Sequence, residues 1–413
     1  MTELSLTLVA AADLVVATTA LPSLAATGYL AACTLLTRGR HPTSYTGHTM
    51  TRWCIVVPAH NEAHGIGGTI ASLRALDYPA WRVTIVVIAD NCTDDTAMVA
   101  RALGALVIER VDGTRRGKGF ALEHAFQHLL KTASVAWDAV LVIDADTDVS
   151  CNLLRECSGA VQRGAQAVQA LYLPREAAVH APIDARALAS RIALTAFHEV
   201  RSLARARLGC SAGLRGNGMA FTRDLLGRFP HAAHSVTEDV EYGLMLGQHG
   251  VPVTYVGAAT VRGDMPDAAP AAATQGQRWL AGRTLLRRRW TAPLLRAVMR
   301  RPSRLPLDLL IDLWIPPLSR VVLYVVSALL LLGIAALAGL ALPVAAGAWG
   351  ISALLLGWHV ADATQRARLA ARPLAIATAL TRHCLERWQH ARLAARAKSL
   401  VWHRTPRSHE RAC

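Results

Sequence analysis

Apolar residues are not spread evenly along this chain. They gather in uncharged blocks toward its two ends and in short β-branched runs between them. Leu14 to Leu36 and Val321 to Leu342 hold no charged side chain, and each is long enough for the roughly 20 residues a membrane-spanning helix needs. Val344 to Val360 is shorter and contains His359, and Pro343 ahead of it suits the tight turn of a helical hairpin. Leu305 to Leu318 mixes Asp308 and Asp312 with Leu, Ile and Trp314. That pattern predicts either an amphipathic helix along the membrane interface or a lead-in to the next span.

Between the blocks the period changes. Trp53 to Val57, Val83 to Ile88, Ala105 to Ile108, Ala139 to Ile143 and Ala167 to Tyr172 read as strands. Ile66 to Leu76, Thr93 to Leu103, Gly119 to Leu130 and Val240 to Leu246 read as helices, with Thr93 or Asp94 capping the second. The Ala- and Arg-rich stretch 184–207 predicts one long helix. Residues 264–273 read as a loop leading into a helix that carries Gln275 and Trp279. Strands alternating with helices predict a parallel, doubly wound α/β sheet, whose ligands bind at the carboxyl ends of the strands.

Charge narrows the partners. The 413 residues are 53% hydrophobic, with 44 Lys and Arg against 29 Asp and Glu, for a net charge of +15. A basic balance suits nucleic acid or anionic lipid. Aromatics are only 5%, too few for a single-strand stacking platform, and Arg287-Arg288-Arg289 and Arg300-Arg301 stand beside apolar stretches. The expected neighbour is therefore the bilayer and not nucleic acid. The eight cysteines form no CxxC pair, which predicts reduced thiols and neither a zinc site nor a disulfide framework. The first apolar block has no Lys or Arg before it and Arg38 and Arg40 after it, as in an uncleaved anchor with its amino end outside. Three spans then leave residues 37–304 and the basic tail in the cytoplasm, at the plasma (inner) membrane. The expected organisation is an anchor at 1–40, a cytoplasmic domain at 41–300, an interfacial helix and transmembrane hairpin at 301–362, and a basic cytoplasmic tail at 363–413.

Chemistry-bearing residues fall just past the strands. Pro58, Asn61 and Glu62 belong to a polar loop after the first strand. His60 and His64 are four apart, but they straddle that loop without a third ligand in spacing, so they do not read as a zinc pair. Asp90 follows the second strand and can accept from a nucleobase or ribose, while Asp94 and Asp95 suit the start of a helix. Gly117-Lys118-Gly119 offers a point charge for phosphate without the spacing of a Walker loop. In Asp144-Ala145-Asp146 the alternation of a strand end aims both carboxylates at one cleft, where a divalent cation relieves their repulsion. Mg²⁺ commonly takes one or two carboxylates plus substrate phosphates, so this pair suits a metal-diphosphate. Thr237-Glu238-Asp239 opens a helix, and Asp239 is the candidate general base. In Gln275-Gly-Gln-Arg278-Trp279, Arg278 can pair with a departing diphosphate and Trp279 can stack on a sugar.

Taken in order, the Val57-Pro-Ala-His-Asn-Glu62 segment, Asp90 to Thr96, the DxD, the TED and the QxxRW box resemble the family-2 inverting glycosyltransferases. The resemblance covers residues 50–300 and points to the membrane-embedded branch with the cellulose, chitin, hyaluronan and poly-N-acetylglucosamine synthases. It implies a GT-A-type doubly wound mixed sheet, with one N-terminal and about two C-terminal transmembrane helices. It implies a nucleotide-diphosphate sugar donor, usually UDP, and a divalent metal, Mg²⁺ or Mn²⁺. By motif match, Asp90 and Asp144 contact the nucleotide, Asp146 the metal, and Asp239 is the base. Pro58, Asn61, Glu62 and Lys118 fall with the nucleotide sugar. Glu238, Gln275, Arg278 and Trp279 fall with the diphosphate and acceptor. Gly216-Asn217-Gly218-Met219 resembles the acceptor-side segment.

About three spans are too few to enclose a polymer channel alone. Limited transfer to a lipid-linked or glycan acceptor is therefore expected over processive export, unless a homo-oligomer or other polysaccharide-assembly subunits complete a channel. Two other classes compete. A non-catalytic membrane scaffold has no use for the acidic stations. A nucleotidyltransferase on a similar sheet has no use for the TED and QxxRW pair.

Overall fold

The computed structural model describes residues 3–132, 136–175, 185–264, 269–300, 303–369, 374–383 and 385. In chain order its elements are α1 (Glu3–Thr18), α2 (Leu21–Thr37), β1 (Trp53–Ala59), α3 (Ile66–Arg74), β2 (Val83–Asp90), α4 (Thr96–Ala102), β3 (Leu106–Arg110), α5 (Lys118–Lys131), β4 (Ala139–Val142), β5 (Thr147–Val149), α6 (Leu153–Gln162) and β6 (Ala167–Pro174). Then follow α7 (Ala185–Thr195), α8 (Arg201–Arg207), β7 (Met219–Thr222), α9 (Arg223–Arg228), α10 (Glu238–Gln248), β8 (Val253–Gly263), α11 (Ala269–Arg300), α12 (Arg304–Trp314), α13 (Leu318–Leu337) and α14 (Pro343–Arg366). They form two compact units. Among the described residues, one takes in 3–39, 185–204 and those from 314 onward; the other takes in those within 40–175 and 205–313.

The second unit is built on one sheet in the order β3-β2-β1-β4-β7-β6-β8-β5. β1 pairs in parallel with β2 and β4, and β2 with β3, as the alternation predicts. The sheet is not parallel throughout, however. β7 runs antiparallel to both β4 and β6, and β5 antiparallel to β8, so the sheet is mixed. β1 shows why it is wound on both faces. Trp53, Ile55 and Val57 pack against Ile66, Ile70 and Leu73 of α3, while Cys54 and Val56 face Leu122, Ala125 and Phe126 of α5. Both faces are apolar, so β1 must be central and its carboxyl end opens into the loops.

In the first unit, the leading apolar block is not one straight span. It is two helices, α1 and α2, bent by 43° at their junction. Thr18 and Thr19 turn their hydroxyls back onto the carbonyls of Val15 and Val16, and Pro22 stands in the first turn of α2. These residues close one helix and start the next. α13 and α14 are long and apolar enough to cross a membrane, and the bent pair makes up to three spans among the described residues. The third span is longer than its apolar run, with Pro343 in its first turn and Arg366 in its last. Asp13 is buried, and its carboxylate accepts from the backbone N–H of Val344 (2.9 Å) and Ala345 (2.8 Å). An anion thus caps the positive end of α14. Ser23 and Thr27 of α2 meet Ser352, and Thr34 meets His359, across the α2–α14 contact.

The 184–207 stretch is helical but interrupted. A π-helical turn, Ala196–Val200, separates α7 from α8. Residues 185–204 group with the apolar helices and not with the sheet. The predicted amphipathic segment is α12, which buries Leu309 and Leu313 and exposes Leu307 and Ile311. Residues 265–268 of the expected loop lie outside the described residues, and α11 already begins at Ala269.

Candidate active site

β1 and β2 end side by side, and β1 runs on through Pro58 to Ala59 instead of stopping at the proline. The loop beyond turns sharply at Asn61, whose φ of 56° is in the left-handed region. Asn61 Oδ1 accepts from Thr93 N (2.7 Å), and Glu62 N donates to Thr96 Oγ1 (2.8 Å). Asp94 ties this loop to α4, accepting from Ala63 N and from Thr96 N at 3.0 Å each. Asp95 makes no side-chain cap bond, so the capping work falls to Asp94 alone. His60 Nδ1 is bonded to the carbonyl of Asp90 (2.7 Å).

Asp90 is buried, and Arg110 Nη1 lies 2.5 Å from its Oδ1. Arg110 also reaches Asp112 (3.0 Å) and the Arg115 carbonyl (2.7 Å). Sequence reasoning missed Arg110. The signal lies in pairing: Asp90 and Arg110 are register partners on β2 and β3.

Lys118 opens α5, and its ammonium is hydrogen-bonded to Asp144 Oδ1 and to the Gly216 carbonyl. The residue expected to meet phosphate is thus seated among acids. Burial disfavours its charge, but Asp144, Glu238 and Asp239 outweigh that and raise its pKa. Asp239 sits against Gly216, where an added Cβ would come within 3.3 Å of Asp239 Oδ2. Gly216 has φ +84°, so a side chain there is disfavoured twice over. Burial raises the pKa of Glu238, with the Asp239 charge adding to it, and burial likewise raises that of Asp239 against the pull of Lys118 and Arg215. The site therefore concentrates three carboxylates around one lysine.

Asn217 fixes the DxD loop from the side. Its Oδ1 accepts from Asp144 N (3.2 Å), and its Nδ2 donates to Thr147 Oγ1 (2.8 Å). Gln169 in turn holds the Asn217 carbonyl (2.7 Å) and Arg215 N (2.8 Å). The Tyr172 phenol on β6 is pushed up by burial and by Asp144, with Asn217 bonding it. Tyr172 and Arg215 also went unread in the sequence.

Asp146 lies two residues beyond Asp144 on the same loop, and its carbonyl accepts from Arg175 (3.1 Å). Among the described residues, no three His, Cys, Asp or Glu side chains gather into a metal cage. A donor set this small fits Mg²⁺ or Mn²⁺ arriving with substrate phosphates, and Asp146 is the residue that would hold it.

α11 reaches this centre because residue 282 is glycine. An added Cβ at Gly282 would lie 2.6 Å from Thr237 Oγ1. Arg289 pairs with Glu241 of α10 (2.6 Å) one turn further on. Arg278 is lowered by burial and raised by the charge of Glu238, so the QxxRW and TED motifs meet electrostatically. Gln275 is partly buried, and Trp279 is 38% exposed. An open groove lined by Arg52, Trp137, Asp138 and Arg223 sits at the opposite, amino-terminal ends of β1 and β4.

The profile described as "Glycosyltransferase like family 2" matches residues 51–282, from the start of β1 to Gly282. The chain belongs to glycosyltransferase family 2. It is 28% identical over 239 residues to the beta-monoglucosyldiacylglycerol synthase of Synechocystis sp., covering 55% of this chain and 47% of that protein. It is 36% identical over 92 residues to the 4,4'-diaponeurosporenoate glycosyltransferase of Staphylococcus aureus, 22% of this chain and 23% of that protein. The chain thus spans under half the length of these curated relatives. A mannosyltransferase of Pyrobaculum calidifontis, solved with GDP-Man and Mn²⁺, superposes on 95% of this chain and 100% of its own. Its TM-score is 0.60 at 19% identity, which carries the GT-A-type architecture. The chain is a glycosyltransferase by family, on a mixed eight-stranded sheet.

Proposed function

We propose that this protein is an inverting, metal-dependent hexosyltransferase that moves a sugar from a nucleotide-diphosphate donor, UDP-linked by the motif set, to a membrane lipid acceptor. The observation that carries the reading is the hydrogen bonding of the Lys118 ammonium to Asp144 and to the carbonyl of Gly216, against which Asp239 packs, with Glu238 and Asp239 adding their charges. Two motifs from separate segments, the DxD and the TED, share that one charge.

Asp239 accepts the proton of the acceptor hydroxyl while that oxygen attacks the anomeric carbon. The new glycosidic bond forms as the bond to the diphosphate breaks, with inversion and no sugar–enzyme intermediate. Asp146 would hold a divalent cation, whose charge would help neutralise the leaving diphosphate. Arg278 adds a second counter-charge, and Trp279 offers a stacking face to the acceptor. Asp90, with Pro58, Asn61 and Glu62 around it, reads the nucleotide. A lipid acceptor is favoured by the relatives named for a diacylglycerol product and a diaponeurosporenoate substrate. The apolar helices support a multi-pass protein of the plasma membrane with its catalytic unit on the cytoplasmic side.

The test uses the full chain in detergent with a panel of radiolabelled nucleotide sugars and a membrane lipid extract. Release of nucleoside diphosphate with label entering lipid is expected. Asp239→Asn abolishes that transfer while leaving the melting curve in place. A well-folded Asp239→Asn with parental turnover sinks the assignment, and release of pyrophosphate points to nucleotidyl transfer instead.

A further inference from the structure

The segment between α9 and α10, residues 231–236, is strapped onto α5. His234 stacks on Phe120 with ring centroids 4.2 Å apart and planes 8° from parallel. Its Nε2 lies 2.9 Å from Glu123 Oε2. His231 is buried edge-on to Phe126 (5.7 Å) and tilted over Tyr242 of α10 (4.6 Å). Gly119 permits the contact, because an added Cβ there would collide with the Ala233 carbonyl. The far end of the strap is tied as well. Ser235 N donates to Glu241 Oε2 (3.1 Å), and the same carboxylate pairs with Arg289 of α11.

These contacts have a consequence for the chemistry. α5 begins with Lys118, and α10 begins with Glu238 and Asp239. The strap joins the two helices within a turn or so of those residues. Where the strap grips α5, the start of α10 rests on the same helix: an added Cβ at Gly119 would lie 3.2 Å from both His234 Cα and Glu238 Cβ.

We propose that His234 and Glu123 are positioning residues for the transfer reaction: their contact, stacked on Phe120, holds the start of α10 at working distance from Lys118. This rests on the reading of Asp239 as base. Neither residue touches substrate in this scheme; each acts through Lys118 and the two carboxylates. The groups facing Asp239 are Glu238 beside it, Lys118 from α5, Arg215 from the loop before β7 and Tyr172 from β6, while Asp144 and Arg278 of α11 act on the adjoining Glu238. Of these, Lys118 is the one the strap locates. If the strap loosens, Asp239 loses part of the charge that favours its ionised form, and the acid limb of the pH–rate profile moves to higher pH.

The experiment compares parent, His234→Ala, Glu123→Ala, the double variant and the conservative Glu123→Gln, all as full chains in detergent. Melting curves and hydrogen exchange over 231–241 accompany kcat and donor KM across pH. Expected are a fall in kcat of about 10- to 100-fold, from a misplacement on the scale of an ångström, with donor KM little changed. The acid limb shifts upward, exchange over 231–241 rises, the double variant is no worse than either single one, and Glu123→Gln recovers most of kcat. An active parent whose strap variants keep its kcat and acid limb overturns the proposal. So does a loss that merely follows the unfolded fraction with the limb unmoved. A parent that transfers no sugar strikes the functional reading, while exchange over 231–241 unchanged in every variant strikes the strap.

Discussion

Gly282→Ala separates the stability of α11 from its placement. The new Cβ would lie 2.6 Å from Thr237 Oγ1, 2.7 Å from Thr237 Cγ2 and 3.0 Å from Val236 Cγ2. Ordinary contact begins near 3.4 Å, so 3.4 less 2.6 leaves about 0.8 Å to be found by moving one helix. Thr237 is β-branched and stiff at χ1, which makes a rotamer escape poor. Replacing Gly by Ala inside a helix gains about 1 kcal/mol of propensity, and overpacking costs about 1–3 kcal/mol. The first offsets part of the second, leaving a net loss of about 0–2 kcal/mol and a melting temperature lowered by at most a few degrees. Activity does not share the compensation. Arg278 and Trp279 ride on the same helix one turn earlier, and a displacement near 1 Å costs up to about 100-fold. kcat/KM should fall about 10- to 100-fold, or about 1.4–2.7 kcal/mol on the barrier. The assay is sugar transfer in detergent beside a thermal melt. Thr237→Ala supplies the rescue, because its hydroxyl makes no hydrogen bond and gives no side-chain cap to α10. The double variant should regain most of the lost rate. Parental kcat/KM in Gly282→Ala, or a double variant no better than the single one, refutes the reasoning.

Asp239 is raised by burial, so transfer should persist above that raised value and fall as pH drops through it, above the range of an ordinary carboxylate; Lys118→Met should push the limb higher still, and a limb left in place argues against the Lys118–Asp239 coupling. The same shift has a stability sign: a group whose folded pKa is raised favours folding in its protonated form, and that stability is lost as pH rises through the raised value. Asp239→Asn should therefore melt at or above the parent at neutral pH, a lower melt counting against it. Chelation by EDTA should stop transfer and added Mn²⁺ or Mg²⁺ restore it, while full turnover in EDTA removes the metal role of Asp146. Arg205 is 1% exposed and pairs with Asp308 (2.6 Å) and Asp312 (3.0 Å) of α12. Arg205→Met strands two carboxylates and should cost about 3–5 kcal/mol in a denaturant melt, a neutral effect showing that the pairs relax into solvent.

What the sequence discloses here depends on how far a residue's role reaches. Asp144 and Asp239 are legible because each follows a local rule, an acid just past a strand or in the first turn of a helix. Arg110 is not, since it matters only once β3 lies in register beside β2. Asn217 is legible only as part of the acceptor-side segment; its hold on the DxD loop is hidden for the same reason, being 73 residues from the amide it holds and next to a strand of four residues that enters the sheet antiparallel. β8 was missed although it has eleven residues, because Gly257-Ala-Ala-Thr260 dilutes the apolar alternation that marks a strand. In the apolar block, hydropathy counts Thr18, Thr19 and Pro22 as neutral, yet their backbone chemistry bends it. Asp13 stood one residue outside the block because charge is costly in a span; capping α14 is what offsets that cost. Lys118 shows where a local reading stops short. Gly117-Lys118-Gly119 looks like a phosphate cradle, but the acids that define its surroundings come from the loop after β4 and the start of α10. A half-buried lysine among three carboxylates offsets charges that would otherwise repel one another. The Lys118 charge favours the ionised forms of Glu238 and Asp239, and their charges favour the ionised lysine. That mutual dependence makes the spacing between α5 and α10 a matter for catalysis as well as for packing, and no single motif records it.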